Sequence, residues 1–480
     1  LYRSSAASDV YKRQRLVDLL GGIVNPWSDR VLLQLASDVE QPAAVRLAAV
    51  GALGQRPSAD PEPTLRDLAA IDDEIGAVAA VAIDDLEVMA AGRPEHADGD
   101  GLRIAQLTLT GELDRNLSRG GRGDTGGVAS LLVSAGEALA ARDDVDHVLT
   151  IGRGSLTDMV ADQLLPDEGK LAYGTIAIGD RTRPDDPASL WEHLPAIERG
   201  IARVLRNRMA VDVLHLRMAD AGTVAGMAVA EQFGIDVCFS LAGDPHNVIR
   251  SLQDQGRLDR STFVEQSTVN NYWFRARLVE RLARQAPQLA LFPRSEASVV
   301  DIGPPTTPGG RERRAVVVPE GIDLDLVKRA ERAVWSGTER DPASDVLGEL
   351  AGRIPADRRH LPLLVSVGRL NPIKGMDRVA AAWASDPALF RSCTLVIVGG
   401  SLGDPTDTER SVLEAIEAAV PADHPARSGL ILLGGQPRFD VAALLAATAR
   451  GLPGAWAPGG VYVDGAAKEE FGLAVIEALA

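Results

Sequence analysis

The stretch Leu361–Gly375, LPLLVSVGRLNPIKG, decides how the second half of this chain folds. Its first seven residues are an apolar run of strand length. Arg369, Asn371-Pro372 and Gly375 then break the run, and a helical pattern follows over 376–384. Three more apolar runs recur downstream, at Thr394–Val398, Leu430–Leu433 and Val461–Val463, separated by helical patterns near 408–419 and 439–449. Strands that read as near-continuous Val, Ile and Leu, alternating with helices, specify a parallel sheet covered on both faces. In such a sheet ligands bind beyond the carboxyl ends of the strands. Arg369 and Lys374 stand at that place.

The cations there are informative because lysine is scarce, occurring only at positions 12, 170, 328, 374 and 468. Arginine offers a planar fork to phosphate oxygens and lysine a compact charge. The chain closes on Lys468–Ala478, KEEFGLAVIEA. Phe471-Gly472-Leu473 reads as a helix start, whose N–H groups and dipole favour a phosphate, with Gly472 allowing close approach. Glu469 precedes that start and Glu477 lies two turns in, each placed to accept from sugar hydroxyls. The plain alternative is a solvated Arg/Lys loop and an acidic helix start.

The first half alternates in the same way. Strand patterns fall at Leu102–Leu109, Val148–Ile151, Ala172–Ile178, Val211–Leu216, Ile235–Ser240, Leu289–Phe292 and Ala315–Val318, with helices between, such as Gly127–Arg142 and Ala221–Phe233. A Gly-rich turn, Gly123-Asp-Thr-Gly-Gly-Val128, follows the first of these strands. Before the sheet, residues 31–54 and 64–87 repeat one another at an offset of 33, as helical hairpins do. Two readings stand for that segment: a pair of HEAT-like repeats open to a protein partner, or a helical extension packed on the next domain. The expected organisation is an artificial, adapter-like leader over 1–14, a helical segment over 15–95, an α/β domain over 100–345 and a second over 346–480. The abrupt stop inside a helix at Ala480 reads as a cut, so the chain is expected to be a piece of a longer one.

Composition narrows the function. Of 480 residues, 45% are hydrophobic and 24% charged, the balance of a globular protein. A formal charge of −17 argues against a partner such as nucleic acid and against lying on anionic lipid, while leaving local anion sites open. Cys238 and Cys393 sit in apolar runs without metal or disulfide spacing, which fits a reducing, cytoplasmic location. Asp144-Val-Asp146 has the spacing of a metal-binding pair but precedes its strand, so it reads as a solvated loop; no metal or other cofactor is expected.

In order, Gly-Arg-Leu-x-x-x-Lys-Gly (368–375), Gly399-Gly400 after a strand, and Glu-x-Phe-Gly-Leu (469–473) with a second Glu at 477 resemble the retaining nucleotide-sugar glycosyltransferases of family four. That resemblance covers about 102–480. It implies the GT-B fold, two Rossmann-like doubly wound domains facing a cleft, here preceded by the short helical segment. It further implies that Arg369 and Lys374 hold a donor diphosphate, with Gly368, Phe471, Gly472 and Leu473 around it. Glu469 would contact the sugar and Glu477 the ribose. Glu470 stands where the family usually has Pro. The Asp124-Thr-Gly126-Gly127 turn, and His215 with Asp220-Ala-Gly222, are similar to the sucrose synthase and sucrose-phosphate synthase branch, which places Asp124, His215 and Asp220 on the acceptor side and Gly126 and Gly127 beside the donor. Where the family has Thr-Ala-His, this chain has Ser240-Leu-Ala242. Either His246, in Asp244-Pro-His-Asn247, takes the sugar-contacting role through a shifted loop, or that role is absent.

The activity so implied is transfer of a hexose from a nucleoside-diphosphate sugar, with UDP-glucose favoured, to a sugar, sugar phosphate or other small acceptor. Two alternatives come with it: a GT-B epimerase or phosphorylase, and an inactive scaffold that binds partners through its helices.

Overall fold

The computed structural model describes residues 5–91, 101–113, 127–164, 169–178, 187–207, 210–291, 306–307, 309–319, 321–336, 346–466 and 472–480. The chain divides into two compact units. One comprises Leu1–Leu113, Ala135–Pro245 and Val264–Val317; the other comprises Asp114–Ser134, His246–Phe263 and Val318–Ala480.

The first unit begins with five helices: α1 (Ser5–Gly21), α2 (Pro26–Ser37), α3 (Ala43–Leu53), α4 (Glu62–Ala69) and α5 (Glu74–Ala91). The adapter-like residues from Ser5 onward continue α1 rather than standing apart from it. The repeated stretches fold as the helical pairs α2/α3 and α4/α5, around Leu32, Ala49, Leu53, Leu65 and Ala79. Alanine and glycine bring the backbones close: a Cβ on Gly54 would lie 2.8 Å from Cα of Ala82. Buried Arg56 pairs with Asp29 at 2.7 Å and donates to the carbonyl oxygens of Leu20, Gly21 and Ile23, tying the end of α1 to α2.

A seven-stranded, all-parallel sheet follows, made of β1 (Leu102–Glu112), β2 (Val145–Gly154), β3 (Leu171–Ala177), β4 (Val213–Arg217), β5 (Asp236–Leu241), β6 (Gln288–Leu291) and β7 (Arg314–Val317). Its order is β3-β2-β1-β4-β5-β6-β7, so the winding reverses between β1 and β4. A reversal of this kind opens a crevice at the carboxyl ends of the two strands. The helices α6 (Gly127–Ala140), α7 (Leu156–Leu164), α8 (Leu194–Asn207), α9 (Ala221–Phe233), α10 (Pro245–Asp254), α11 (Phe263–Asn270) and α12 (Tyr272–Gln285) connect these strands. Leu107, Leu149, Ile151, Leu214, Leu216 and Phe239 form the core with α8 and α9. Gly226 lets α9 sit tightly on the sheet, since a Cβ there would be 2.6 Å from Leu216.

The helical segment packs onto α8 of this unit. Arg199 meets Asp18 at 2.8 Å, Arg206 meets Gln55 at 2.7 Å, and Arg203 lies 3.7 Å from Asp85. Burial pushes the Asp85 carboxyl up to about 6, against the pull of Arg203. The segment is thus packed on the next domain, and its two helical pairs keep the hairpin form of the repeat.

The second unit carries a four-stranded parallel sheet ordered β10-β9-β8-β11, with β8 at Leu363–Val367, β9 at Thr394–Val398, β10 at Leu430–Gly434 and β11 at Val461–Tyr462. Helices Met376–Ser385, Asp407–Ala419 and Arg438–Arg450 alternate with these strands. The charged connector is two helices, Leu324–Ser336 and Val346–Arg353, and a short helix Pro387–Ser392 has no counterpart in the sequence reading. Most strand ends differ by one or two residues; β1 runs three further, to Glu112, and β2 is three longer at each end, so Asp146 lies within β2 rather than ahead of it. Among the described residues, no helix is long and apolar enough to cross a membrane. Cys238 and Cys393 are free and half-buried.

Candidate functional site

In the second unit four parallel strands end on one edge of the sheet; a glycine directly follows β8, β9 and β10, and one comes three residues after β11. Gly368 follows β8 and donates its N–H to Val398 at 3.0 Å. Gly399 follows β9 and donates to Gly434, at the end of β10, at 2.7 Å; Gly435 donates to Gly400 at 2.7 Å. Gly465 follows β11. Side chains here would fill the rim: a Cβ on Gly434 would approach Leu402 to 3.3 Å, and Gly399, Gly400 and Gly434 all take positive φ. Open backbone at the carboxyl edge is what a nucleotide needs in order to lie close.

Arg369 and Lys374 flank a tight turn beyond β8. Asn371 holds it, donating its N–H to the Arg369 carbonyl at 2.9 Å and accepting from the Ile373 N–H through its side chain at 2.9 Å; the Lys374 N–H donates to the Asn371 carbonyl at 2.9 Å. The turn folds Lys374 back over the strand end, so a Cβ on Gly368 would lie 3.8 Å from Lys374 Cδ. Both cations are half-buried.

The segment after β11 runs alongside this turn. The Val463 N–H donates to the Val365 carbonyl at 2.8 Å, and Arg378 Nη2 donates to the Gly465 carbonyl at 2.8 Å. The chain leading to the acid-flanked motif therefore leaves the sheet beside Arg369 and Lys374. Lys468, Glu469 and Phe471 lie outside the described residues. The helix beyond them starts at Leu473, with Gly472 as its cap at φ 75°, rather than at Phe471. Glu477 thus sits just over one turn in, not two. Because Gly472 takes up the left-handed chain reversal, the helix proper begins after it. Burial raises the Glu477 carboxyl pKa, opposed by Arg438, the first residue of the helix after β10. Arg438 also donates to Ser134 Oγ at 2.9 Å. The sequence reading passed over Arg438, although it stands just beyond a strand end as Arg369 does; the intervening Gly434-Gly-Gln-Pro437 hid the parallel.

Loop geometry beyond β9 is fixed by Glu409. It is buried, caps its own helix with Thr406, and accepts from the N–H groups of Ser401 at 3.1 Å and Thr406 at 2.9 Å.

Of the residues expected on the acceptor side, Asp124 and Gly126 lie outside the described residues, and Gly127 is the first residue of α6. His215 is in the middle of β4, its Nε2 2.7 Å from Ser240 Oγ on β5. Desolvation, reinforced by Arg217, pulls its pKa down to about 4, so the ring is neutral near pH 7. Asp220 caps α9, accepting from the Thr223 N–H at 2.8 Å through Oδ1, while its buried Oδ2 has no hydrogen-bond partner among the described residues. Burial raises this carboxyl to about 6, against hydrogen bonds from Thr223 and Gly222 that lower it. A small part of each side chain still reaches solvent, so both are enclosed without being sealed. His246 is the second residue of α10, half-buried, and belongs to the same unit as Arg369 and Lys374. Asp144 is exposed and paired with Arg142 at 2.6 Å, as a solvated loop residue.

Sequence reasoning also missed a polar belt across the first sheet. Gln106 donates to Thr150 at 3.1 Å, Thr108 and Thr110 hydroxyls are 3.0 Å apart, and His215 meets Ser240. Register places Gln106 and His215 side by side on β1 and β4.

No protein-family model matches the sequence, and no curated protein matches it. Solved structures do. An α,α-trehalose-phosphate synthase (UDP-forming) from Burkholderia xenovorans, in complex with glucose-6-phosphate, superposes with a TM-score of 0.52 at 13% identity, covering 79% of this chain and 82% of that one. A trehalose-6-phosphate protein from E. coli bound with UDP-2-fluoro glucose gives 0.45 at 13% identity, over 78% and 81%. UDP-GlcNAc 2-epimerase from Neisseria meningitidis gives 0.39 at 13%, over 72% and 75%. The architecture is that of the GT-B glycosyltransferase fold.

Proposed function

We propose that the protein is a retaining glycosyltransferase that moves a hexose from a nucleoside-diphosphate sugar, UDP-glucose foremost, to a sugar, sugar phosphate or similar small acceptor. The observation that carries this reading is the carboxyl edge of the second sheet. There Arg369 and Lys374 flank one turn, and the backbone leading to Gly472 and Glu477 runs against it.

In this reaction the bond between the anomeric carbon and the β-phosphate oxygen breaks, and negative charge grows on the departing diphosphate. Fixed cations oppose that charge without reorganising, which is the largest electrostatic contribution such a site offers. Arg369 and Lys374 take this role, joined by the N–H groups of the Gly472 turn. Glu477 accepts from ribose hydroxyls, and its raised pKa reflects a site sheltered from water. Glu469 contacts the transferred sugar, and His246 orients it. Asp124, His215 and Asp220 serve the acceptor, His215 as a neutral hydrogen-bonding group and Asp220 through a carboxylate oxygen offered to an acceptor hydroxyl, while Gly126 and Gly127 serve the donor. No metal enters the scheme.

Calorimetry with UDP, GDP and ADP, followed by proton NMR of the product from UDP-glucose and candidate acceptors, tests the reading. Nucleotide binding that Lys374→Ala abolishes, with an α-linked product from an α-linked donor, supports it. Interconversion of the donor sugar without transfer points to an epimerase, and no binding of any nucleotide points to a scaffold.

A further inference from the structure

The chain is strongly acidic, yet one helix face of the first unit carries the opposite charge. Tyr272, Ala276, Leu278, Val279, Leu282 and Ala283 turn the inner side of α12 into the core. Its outer side is Trp273, Phe274, Arg275, Arg277, Arg281 and Arg284, all exposed. Glu280 is the only acid of this helix, and it is shared between Arg277 at 2.7 Å and Arg284 at 3.6 Å. The two aromatic side chains are 58% and 48% exposed, and Val264 on neighbouring α11 is 73% exposed. Contacts hold them outward rather than letting them fold away. The Arg277 guanidinium lies 4.5 Å from the Trp273 ring centre, and Phe274 meets Trp191 edge to face at 5.2 Å.

We propose that the exposed face of α12 docks the protein on an anionic lipid bilayer. Helices that lie in a membrane interface combine a cationic face with exposed Trp and Phe, the aromatic rings entering the headgroup boundary and the arginines meeting lipid phosphates. The overall charge of −17 does not forbid this. At physiological salt the screening length is about 8 Å, so the bilayer senses the arginines at the contact and not the distant acids. A nucleic acid would use the arginines and could stack a base on an exposed ring, but Phe274 is engaged edge to face by Trp191 and the exposed Val264 offers no ring, which is why lipid is the better fit. The proposal is independent of the transferase reading.

The test is co-sedimentation of the full chain with vesicles of phosphatidylcholine alone or with 30% phosphatidylglycerol, together with capture on heparin and on a single-stranded oligonucleotide. Expected is binding to the anionic vesicles only, weakened by raised salt. Each of Arg275→Ala and Arg281→Ala should cost about fivefold in affinity, the value for one basic residue near an anionic surface. Trp273→Ala should weaken binding further with the melting temperature unchanged. Equal binding to neutral vesicles, no binding to either, indifference to these substitutions, or arginine-dependent capture on heparin or oligonucleotide without vesicle binding would each overturn it.

Discussion

Gly375 and Gly465 meet backbone to backbone: a Cβ on Gly465 would lie 2.6 Å from the Gly375 carbonyl oxygen, and one on Gly375 would strike the Gly465 carbonyl. Gly375 also holds φ at 65°, where an L side chain is strained. This pair sets the spacing between the cationic turn and the segment leading to Glu477. Gly375→Ala should therefore destabilise the protein by about 1–3 kcal/mol, from backbone strain alone, and weaken nucleotide binding beyond that loss. Gly403→Ala is the control, because a Cβ there meets nothing within 4 Å. Melting curves with and without UDP read both effects, and equal behaviour of the two variants would dismiss the spacing role.

Arg369 and Lys374 are expected to differ in how they tolerate exchange. A planar fork gripping two phosphate oxygens is not replaced by an ammonium, whereas a single point contact is partly replaced by arginine. Arg369→Lys should thus cost nearly as much UDP affinity as Arg369→Ala, and Lys374→Arg less than Lys374→Ala. A charge-assisted hydrogen bond is worth about 1.5–3 kcal/mol, so each alanine variant should bind roughly 10- to 150-fold more weakly. Titration calorimetry at fixed ionic strength checks the ranking.

Much of this architecture was open to reading because parallel strands buried on both faces must be apolar throughout. Leu363–Val367 and Thr394–Val398 satisfy that rule without interruption, and the strand-end position of Arg369 and Lys374 followed from it. The polar belt was not readable. Gln106, Thr150, His215 and Ser240 are far apart in sequence and meet only through strand register, which no local pattern encodes. The helix start at Leu473 was misplaced by two residues because Phe471 fits the apolar period, while the turn at Gly472 depends on backbone conformation. The ion pairs that pack the helical segment on α8 were not readable either. Those pairs join residues more than a hundred positions apart.

Arg56 offers a test of that segment. It is 2% exposed, paired with Asp29, and donates through one nitrogen to three carbonyls that close the end of α1. Removing one partner of a buried pair leaves the other charge without compensation. Arg56→Ala should destabilise the protein by about 3–5 kcal/mol, read as the shift in a urea midpoint. Arg56→Lys should recover only a part, since a single ammonium cannot span the same carbonyls. An unchanged midpoint for Arg56→Ala would show that the helical segment does not share in the cooperative unfolding of its unit.

His215 and Asp220 respond to acid in opposite directions. Burial lowers the histidine pKa from 6.5 to about 4, so between those values the unfolded chain binds the extra proton, and the stability from the neutral ring is lost as pH falls from 6.5 towards 4. Burial raises the Asp220 carboxyl from 3.8 to about 6, so there the folded chain binds the extra proton, and stability is gained as pH falls from 6 towards 4. The two slopes are similar in size, up to about 3 kcal/mol each, and largely offset one another. Asp220→Asn keeps the helix cap, because asparagine caps as well as aspartate, but removes the compensating slope. That variant should be more stable than the parent near pH 7 and should lose stability more steeply between pH 6.5 and 4. His215→Gln should do the reverse, with a flatter acid limb. Urea unfolding at half-unit steps of pH measures both, and parallel profiles for parent and variants would mean that neither group titrates in its buried form.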